Sequence, residues 1–187
     1  GTVTAIGDGV TEVAVGDRVL ASTGIGAYAS HALVAAKALT PVPDGLDLSR
    51  AAALVQSYCT AWFGLTRRTQ VAAGETVLVL GAGGGVGLAA IDVAHALGAE
   101  VIAAASTPEK LADATAMGAT STIAYENEDL KTRARELSGG GVDLVIDPVG
   151  GPHTEPALRA MGLGGRLIII GFAAGDIPRV PVNQVLL

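Results

Sequence analysis

From Gly74 onward, short runs rich in apolar and β-branched residues alternate with longer runs in which apolar residues recur every three or four positions. The first kind predicts strands buried on both faces, and the second predicts the helices that cover them. In order, the blocks are strand 76–81, helix 85–97, strand 100–105, helix 108–117, strand 120–124, helix 127–138, strand 142–147, helix 153–161 and strand 165–171. Strict alternation of this kind predicts an α/β fold built on a doubly wound parallel sheet. Beyond it, a proline-containing loop leads to Pro181–Leu187, which starts another helix. Upstream the pattern differs. Residues 1–45 carry three alternating stretches, Thr2 to Ile6, Asp17 to Ala21 and Ala27 to Ala35, separated by glycine turns, and predict a β-rich segment. Pro41-Val42-Pro43-Asp44-Gly45 punctuates the chain, and a helical run follows from Leu48 to about Thr69, with Ser49 or Asp47 as its cap. The expected domains are therefore 1–45 and 46–187.

One junction in this pattern carries chemistry. The apolar strand Val77-Leu78-Val79-Leu80 runs into Gly81-Ala82-Gly83-Gly84-Gly85-Val86-Gly87 and then into a helix. Without side chains at Gly84 and Gly85, backbone N–H groups can approach a phosphate, and the helix start near Gly85 offers unsatisfied N–H groups and the positive end of its dipole. Gly87 would let helix and strand pack closely. The dinucleotide fingerprint G-x-G-x-x-G is imperfect here, because Ala82 stands in the first glycine's place. Context strengthens it: the strand before, the helix Val86 to Leu97 and the next strand Glu100 to Ala105 make a βαβ unit of the expected length. The alternative is a glycine-rich turn with no ligand.

Composition works mainly by exclusion. The 187 residues are 50% hydrophobic and 16% charged, enough chain to bury roughly 70% of its unfolded surface in one or two domains. A net charge of −6 and the lack of any basic, aromatic-interleaved tract argue against a nucleic-acid surface. No apolar run approaches the roughly 20 residues of a membrane span, and Gly1-Thr2-Val3 does not begin a signal peptide, so the cytoplasm is the expected compartment and no membrane partner is expected. Cys59 is the sole cysteine, which excludes an internal disulfide and a cysteine-based zinc site.

Several motifs together resemble the medium-chain dehydrogenase/reductase superfamily and, within it, the zinc-independent quinone oxidoreductases. They are Val15-Gly16-Asp17-Arg18-Val19, Pro41 to Gly45, Ala82 to Gly87, Asp143-Leu144-Val145-Ile146-Asp147-Pro148-Val149-Gly150-Gly151, and Gly164-Gly165-Arg166-Leu167 leading to Gly171-Phe172. The resemblance spans essentially the whole chain. It implies a partial GroES-like catalytic segment over 1–45 and a Rossmann domain over 46–187, with the cofactor in the cleft between them. Against the superfamily pattern the chain is short at both ends, lacking the first part of the catalytic domain and the last Rossmann strand.

An NAD-preferring site ends its second strand in Asp or Glu, whose carboxylate takes the ribose hydroxyls and repels a 2′-phosphate. Here the strand ends in Ser106, and Lys110 sits one helical turn on. In the resembling family a small residue, a Lys four on and a Tyr fifteen further form the 2′-phosphate site; Ser106, Lys110 and Tyr125 match all three, so the expected cofactor is NADPH. The other reading of Lys110 is a solvated lysine beside Glu109. Resemblance also places Thr60 near the nicotinamide and Gly171-Phe172 on the other side of the cofactor. Thr60 can equally bond back to its own helical turn, and Phe172 can be a core aromatic. The expected cofactor contacts are thus Thr60, Ala82, Gly84, Gly85, Val86, Ser106, Lys110, Tyr125, Gly171 and Phe172.

Hydride transfer needs orientation and exclusion of water more than acid–base groups, which accords with no catalytic pair standing out. His31, His95 and His153 are scattered without metal spacing, so no metal is expected, and His95 reads as a surface or helix-packing residue. The resemblance implies reduction of a quinone or similar α,β-unsaturated carbonyl, a small-molecule electrophile. Enoyl reduction, including that of a polyketide synthase module, and a catalytically idle NADPH-binding fragment remain alternatives. A methyltransferase expects an acid where Ser106 stands, and short-chain dehydrogenase chemistry lacks its Tyr-x-x-x-Lys pair. The edge at Arg166 to Ile170 invites pairing, with a homodimer as the expected assembly.

Overall fold

The computed structural model describes residues 1–186. The chain forms two compact units, Gly1–Val55 and Gln56–Leu187. In the first, β1 (Val19–Ala21) pairs antiparallel with β2 (Leu39–Pro41), and Thr2 adds one bridge to Arg18. Its buried apolar residues are few, namely Val19, Val42 and Ala51. Two of the expected strands shrink accordingly: Thr2 to Ile6 is reduced to that bridge, and Asp17 to Ala21 to three residues. Ala27 to Ala35 forms no strand at all, and Tyr28 and Leu33 stand in solvent. Alternation makes a strand only where a neighbour supplies hydrogen bonds, and here the neighbour of β1 is Leu39–Pro41.

Helix α1 (Leu48–Phe63) starts at Asp47, whose carboxylate accepts the N–H groups of Ser49 at 2.8 Å and Arg50 at 3.3 Å. The cap is thus Asp47, and Ser49 donates its own hydroxyl to it. The helix stops short of Thr69 because it widens into a π turn over Gly64–Arg68.

The second unit follows the predicted alternation: β3 (Thr76–Leu80), α2 (Gly85–Ala96), β4 (Glu100–Ala105), α3 (Pro108–Ala116), β5 (Ser121–Ala124), α4 (Leu130–Leu137), β6 (Val142–Asp147), α5 (Thr154–Ala160), β7 (Met161–Ile169) and α6 (Val182–Leu186). Leu187, the end of the expected last helix, lies outside the described residues. The five strands are parallel in the order β5-β4-β3-β6-β7. Every side chain of β3 from Val77 to Leu80 is fully buried because successive residues enter two different cores. Val77 and Val79 join Ala89, Ile91 and Val93 of α2 and Ala114 of α3, together with Ala61 and Leu65. Leu78 and Leu80 join Leu130 and Ala134 of α4 and Ala157 and Ala160 of α5 on the opposite face. Each such burial contributes about 1.5–3 kcal/mol, which makes β3 the spine of the sheet. Helix α4 begins later than expected because Asp129 caps it, accepting Thr132 N–H at 2.8 Å. Strand β7 begins earlier, at Met161, where a register irregularity against β6 absorbs the glycine-rich stretch before Arg166. Strand order reverses between β3 and β6, so the crevice beyond their carboxyl ends is the ligand position of such a sheet.

Candidate functional site

At the end of β3 the chain turns at Gly81 with φ +57°, a conformation that disfavours any side chain. Gly81 N–H donates to the Tyr125 hydroxyl oxygen at 2.7 Å, and Ala82 N–H to Ala104 O at 3.0 Å, which ties the loop to β4 and β5. Ala82 is fully buried, so its methyl fills core where the fingerprint has a glycine. Gly84 is the N-cap of α2 and carries no side chain to cap it. The first-turn N–H groups of Gly85, Val86 and Gly87 thus have no helical partner, and Gly84 and Gly85 are exposed. This arrangement fits a phosphate. Helix and strand meet here in near contact: a Cβ on Gly87 would lie 2.3 Å from Gly81 O and 2.9 Å from Ala82 Cα.

Beyond β4, Thr107 caps α3, and Lys110 in its first turn donates from Nζ to Ser106 Oγ at 3.1 Å. The Lys110 stem crosses the glycine loop, since a Cβ on Gly83 would lie 2.4 Å from Lys110 Cγ and 2.5 Å from its Cβ. The fold therefore brings Ser106, Lys110 and the loop together. Tyr125 sits deeper. Its ring stacks on His153 with centroids 4.3 Å apart, and burial above all, with the Asp147 charge adding to it, raises its pKa, while the Gly81 N–H opposes the rise. The phenol stays protonated, and with its oxygen already accepting from Gly81 the proton is the group left to donate.

The other candidate contacts are less uniform. Thr60 donates to Gln56 O at 2.7 Å, the bond back to its own turn. One turn earlier, Ser57 Oγ lies 3.0 Å from where a Gly85 Cβ would be. Tyr58 donates to Asp92 at 2.6 Å, which holds α1 against α2; burial first and then that carboxylate push its pKa up to about 12. Gly171 and Phe172 belong to a segment zipped along the exit of β6, with Ile170 N–H on Asp147 O at 2.8 Å, Ala173 N–H on Pro148 O at 3.2 Å and Ala174 N–H on Val149 O at 2.9 Å. Phe172 is half-exposed and lies on Gly150, rather than in a core. Ser57 and Asp147 were not among the sequence candidates; no spacing singles out Ser57, whereas an acid directly after the apolar run Leu144–Ile146 was a signal for Asp147. His95 packs against Gly118. Among the described residues no group of three or more His, Cys, Asp or Glu is placed to hold a metal, and no helix is long and apolar enough to cross a membrane.

The sequence profile of the zinc-binding dehydrogenase family matches residues 85–187. The chain is 44% identical to quinone oxidoreductase-like protein 2 of Bos taurus over 189 residues, covering 100% of this chain and 54% of that protein. It is 37% identical over 172 residues to a mycocerosic acid synthase-like polyketide synthase of Mycobacterium tuberculosis, covering 91% of this chain and 8% of that protein. The Escherichia coli quinone oxidoreductase complexed with NADPH superposes with a TM-score of 0.86 at 32% identity, covering 100% of this chain and 58% of that one. The chain thus spans about half the length of the quinone oxidoreductases it matches. With its β3–α2 glycine loop, five parallel strands and these relatives, the chain belongs to the zinc-binding dehydrogenase family of the medium-chain dehydrogenase/reductase superfamily.

Proposed function

We propose that this chain carries the NADPH site of an oxidoreductase that reduces a quinone or a similar α,β-unsaturated carbonyl. The observation that carries the reading is Lys110, whose stem crosses Gly83 and whose ammonium is held at Ser106, where an NAD-specific site would place an acid. The first-turn N–H groups of α2 would take the pyrophosphate, Ser106 and Lys110 the 2′-phosphate, and Tyr125 would donate its phenol proton beside them. Gly171 and Phe172 would face the nicotinamide end. NADPH, when bound, supplies the hydride; the residues of this chain bind it, orient it and shield it from water. The NADPH complex of the Escherichia coli relative supports the cofactor, and the quinone oxidoreductase relatives support the substrate class.

The test is a titration with NADPH and NADH, followed by nicotinamide fluorescence, for the wild type and Lys110→Ala. A charge-assisted hydrogen bond of about 1.5–3 kcal/mol predicts a loss of about 10- to 150-fold for NADPH and little change for NADH. Equal losses for both cofactors would remove the phosphate assignment. Enoyl reduction is the second reading, favoured by the similarity to a polyketide synthase. Turnover of enoyl thioesters but not of quinones would select it, and binding without turnover of either would select an idle cofactor module.

A further inference from the structure

Asp147 is fully buried, and every oxygen of its carboxylate is engaged. Oδ1 accepts Val149 N–H at 2.9 Å and Gly150 N–H at 2.8 Å, and Oδ2 accepts the hydroxyl of Thr154, itself buried at the start of α5, at 2.6 Å. A buried charge held by three donors defines the path of the chain it binds. That path sets two contacts. Gly150, at φ +69°, passes so close to Phe172 that a Cβ there would lie 2.9 Å from the ring. Val149 packs on Gly81, where a Cβ would lie 2.7 Å from its Cγ2. The Asp147 carbonyl also accepts the N–H groups of Ile170 at 2.8 Å and Gly171 at 3.4 Å. One residue therefore anchors the β6 exit loop by its side chain and the Gly171-Phe172 segment by its backbone.

We propose that Asp147 is a positioning residue for the nicotinamide half of the cofactor, acting through the β6 exit loop on Gly171 and Phe172. The inference rests on the NADPH reading above. The carboxylate does not touch the ligand; it sets where the segment facing the nicotinamide lies. Asn at 147 preserves this arrangement, because its carbonyl accepts both N–H groups and its amide donates to the Thr154 hydroxyl. Ala removes it, and Val at 154 leaves Oδ2 without a partner.

The experiment titrates wild type, Asp147→Ala, Asp147→Asn and Thr154→Val with two ligands: NADPH, and adenosine 2′,5′-bisphosphate, which lacks the nicotinamide half. Asp147→Ala is expected to weaken NADPH by about tenfold and the bisphosphate by less than about twofold, with Asp147→Asn near wild type for both. Parallel losses of both ligands, or an Asn variant as weak as the Ala variant, overturn the positioning role. If Asp147→Ala fails to fold, Thr154→Val decides: a loss confined to NADPH supports the role, and unchanged NADPH binding overturns it. Wild-type protein that binds neither ligand removes the cofactor reading itself, and this role with it.

Discussion

Gly87→Ala sets two effects of opposite sign against each other. Alanine is the better helix former, so propensity alone predicts a gain of about 0.5–1 kcal/mol in α2. The new Cβ would lie 2.3 Å from Gly81 O, 2.9 Å from Ala82 Cα and 3.0 Å from Gly81 C, all backbone atoms. Relief of such a contact needs a retreat of about 1 Å by one of the two elements. Gly81 has little room to retreat, held by its bond to Tyr125 and by Val149 packed against it. Overpacking costs typically 1–3 kcal/mol, and the obstacle here is backbone rather than a side-chain tip that can swing away. The clash wins, with a net loss of about 1–2 kcal/mol, or roughly 2–8 °C in Tm for a chain of this size. Thermal melts followed by circular dichroism test this, with Gly7→Ala as control, since nothing lies within 4 Å of a Cβ at Gly7. A Gly87→Ala protein that melts at or above the wild-type temperature refutes the close-packing argument.

Three more perturbations probe the surroundings. Gly83→Ala would push a Cβ into the Lys110 stem, so the preference for NADPH over NADH should fall by about tenfold; an unchanged ratio would separate Lys110 from the loop. Tyr125→Phe leaves the Gly81 N–H without its acceptor at a partly buried position, and should cost about 1 kcal/mol in urea denaturation; an unmoved midpoint would show the bond contributes nothing. Arg166, which binds Glu75 at 2.6 Å and Thr69 O at 3.1 Å, holds the Glu75 carboxyl below its ordinary value of 4.5, chiefly by that hydrogen bond. A depressed carboxylate stabilises the fold above its unfolded pKa and loses that contribution as pH falls through its folded one. The Tm gap between wild type and Glu75→Gln, worth about 1 kcal/mol after screening, should thus hold from pH 7 to 5 and shrink below 4.5; a gap that widens in acid contradicts it.

The sheet was legible because its strands are buried on both faces, so Val77–Leu80, Val101–Ala105 and Leu144–Ile146 read as unbroken apolar runs wherever the chain places them. Residues 1–45 were less so. The alternating stretch Ala27 to Ala35 has the pattern of a half-buried strand, yet pattern alone cannot supply the neighbour that pairing requires. The π turn after Phe63 was also hidden, because the shift from an i−4 to an i−5 bond leaves no mark in apolar spacing. At the site, Ser106 and Lys110 were legible since four residues on one strand-to-helix turn must meet. The support beneath them was not: Tyr125 reaches Gly81 across 44 residues, and no local rule foresees that bond.

The sheet order carries a consequence for how the molecule folds. Strands β3 and β4 are joined through one helix, whereas β3 and β6 become neighbours only across a separation of 67 residues, marked by the Thr76 N–H bond to Asp143. Loop closure costs more as the closed segment lengthens, which predicts that the β3–α2–β4 unit forms before β6 docks. One wall of the glycine loop, the Ala82–Ala104 bond, arises in that first step. The other wall, Val149 against Gly81, arrives only with the docking of β6. This order predicts that the glycine loop takes its full shape only when β6 docks, after α2 has formed between β3 and β4.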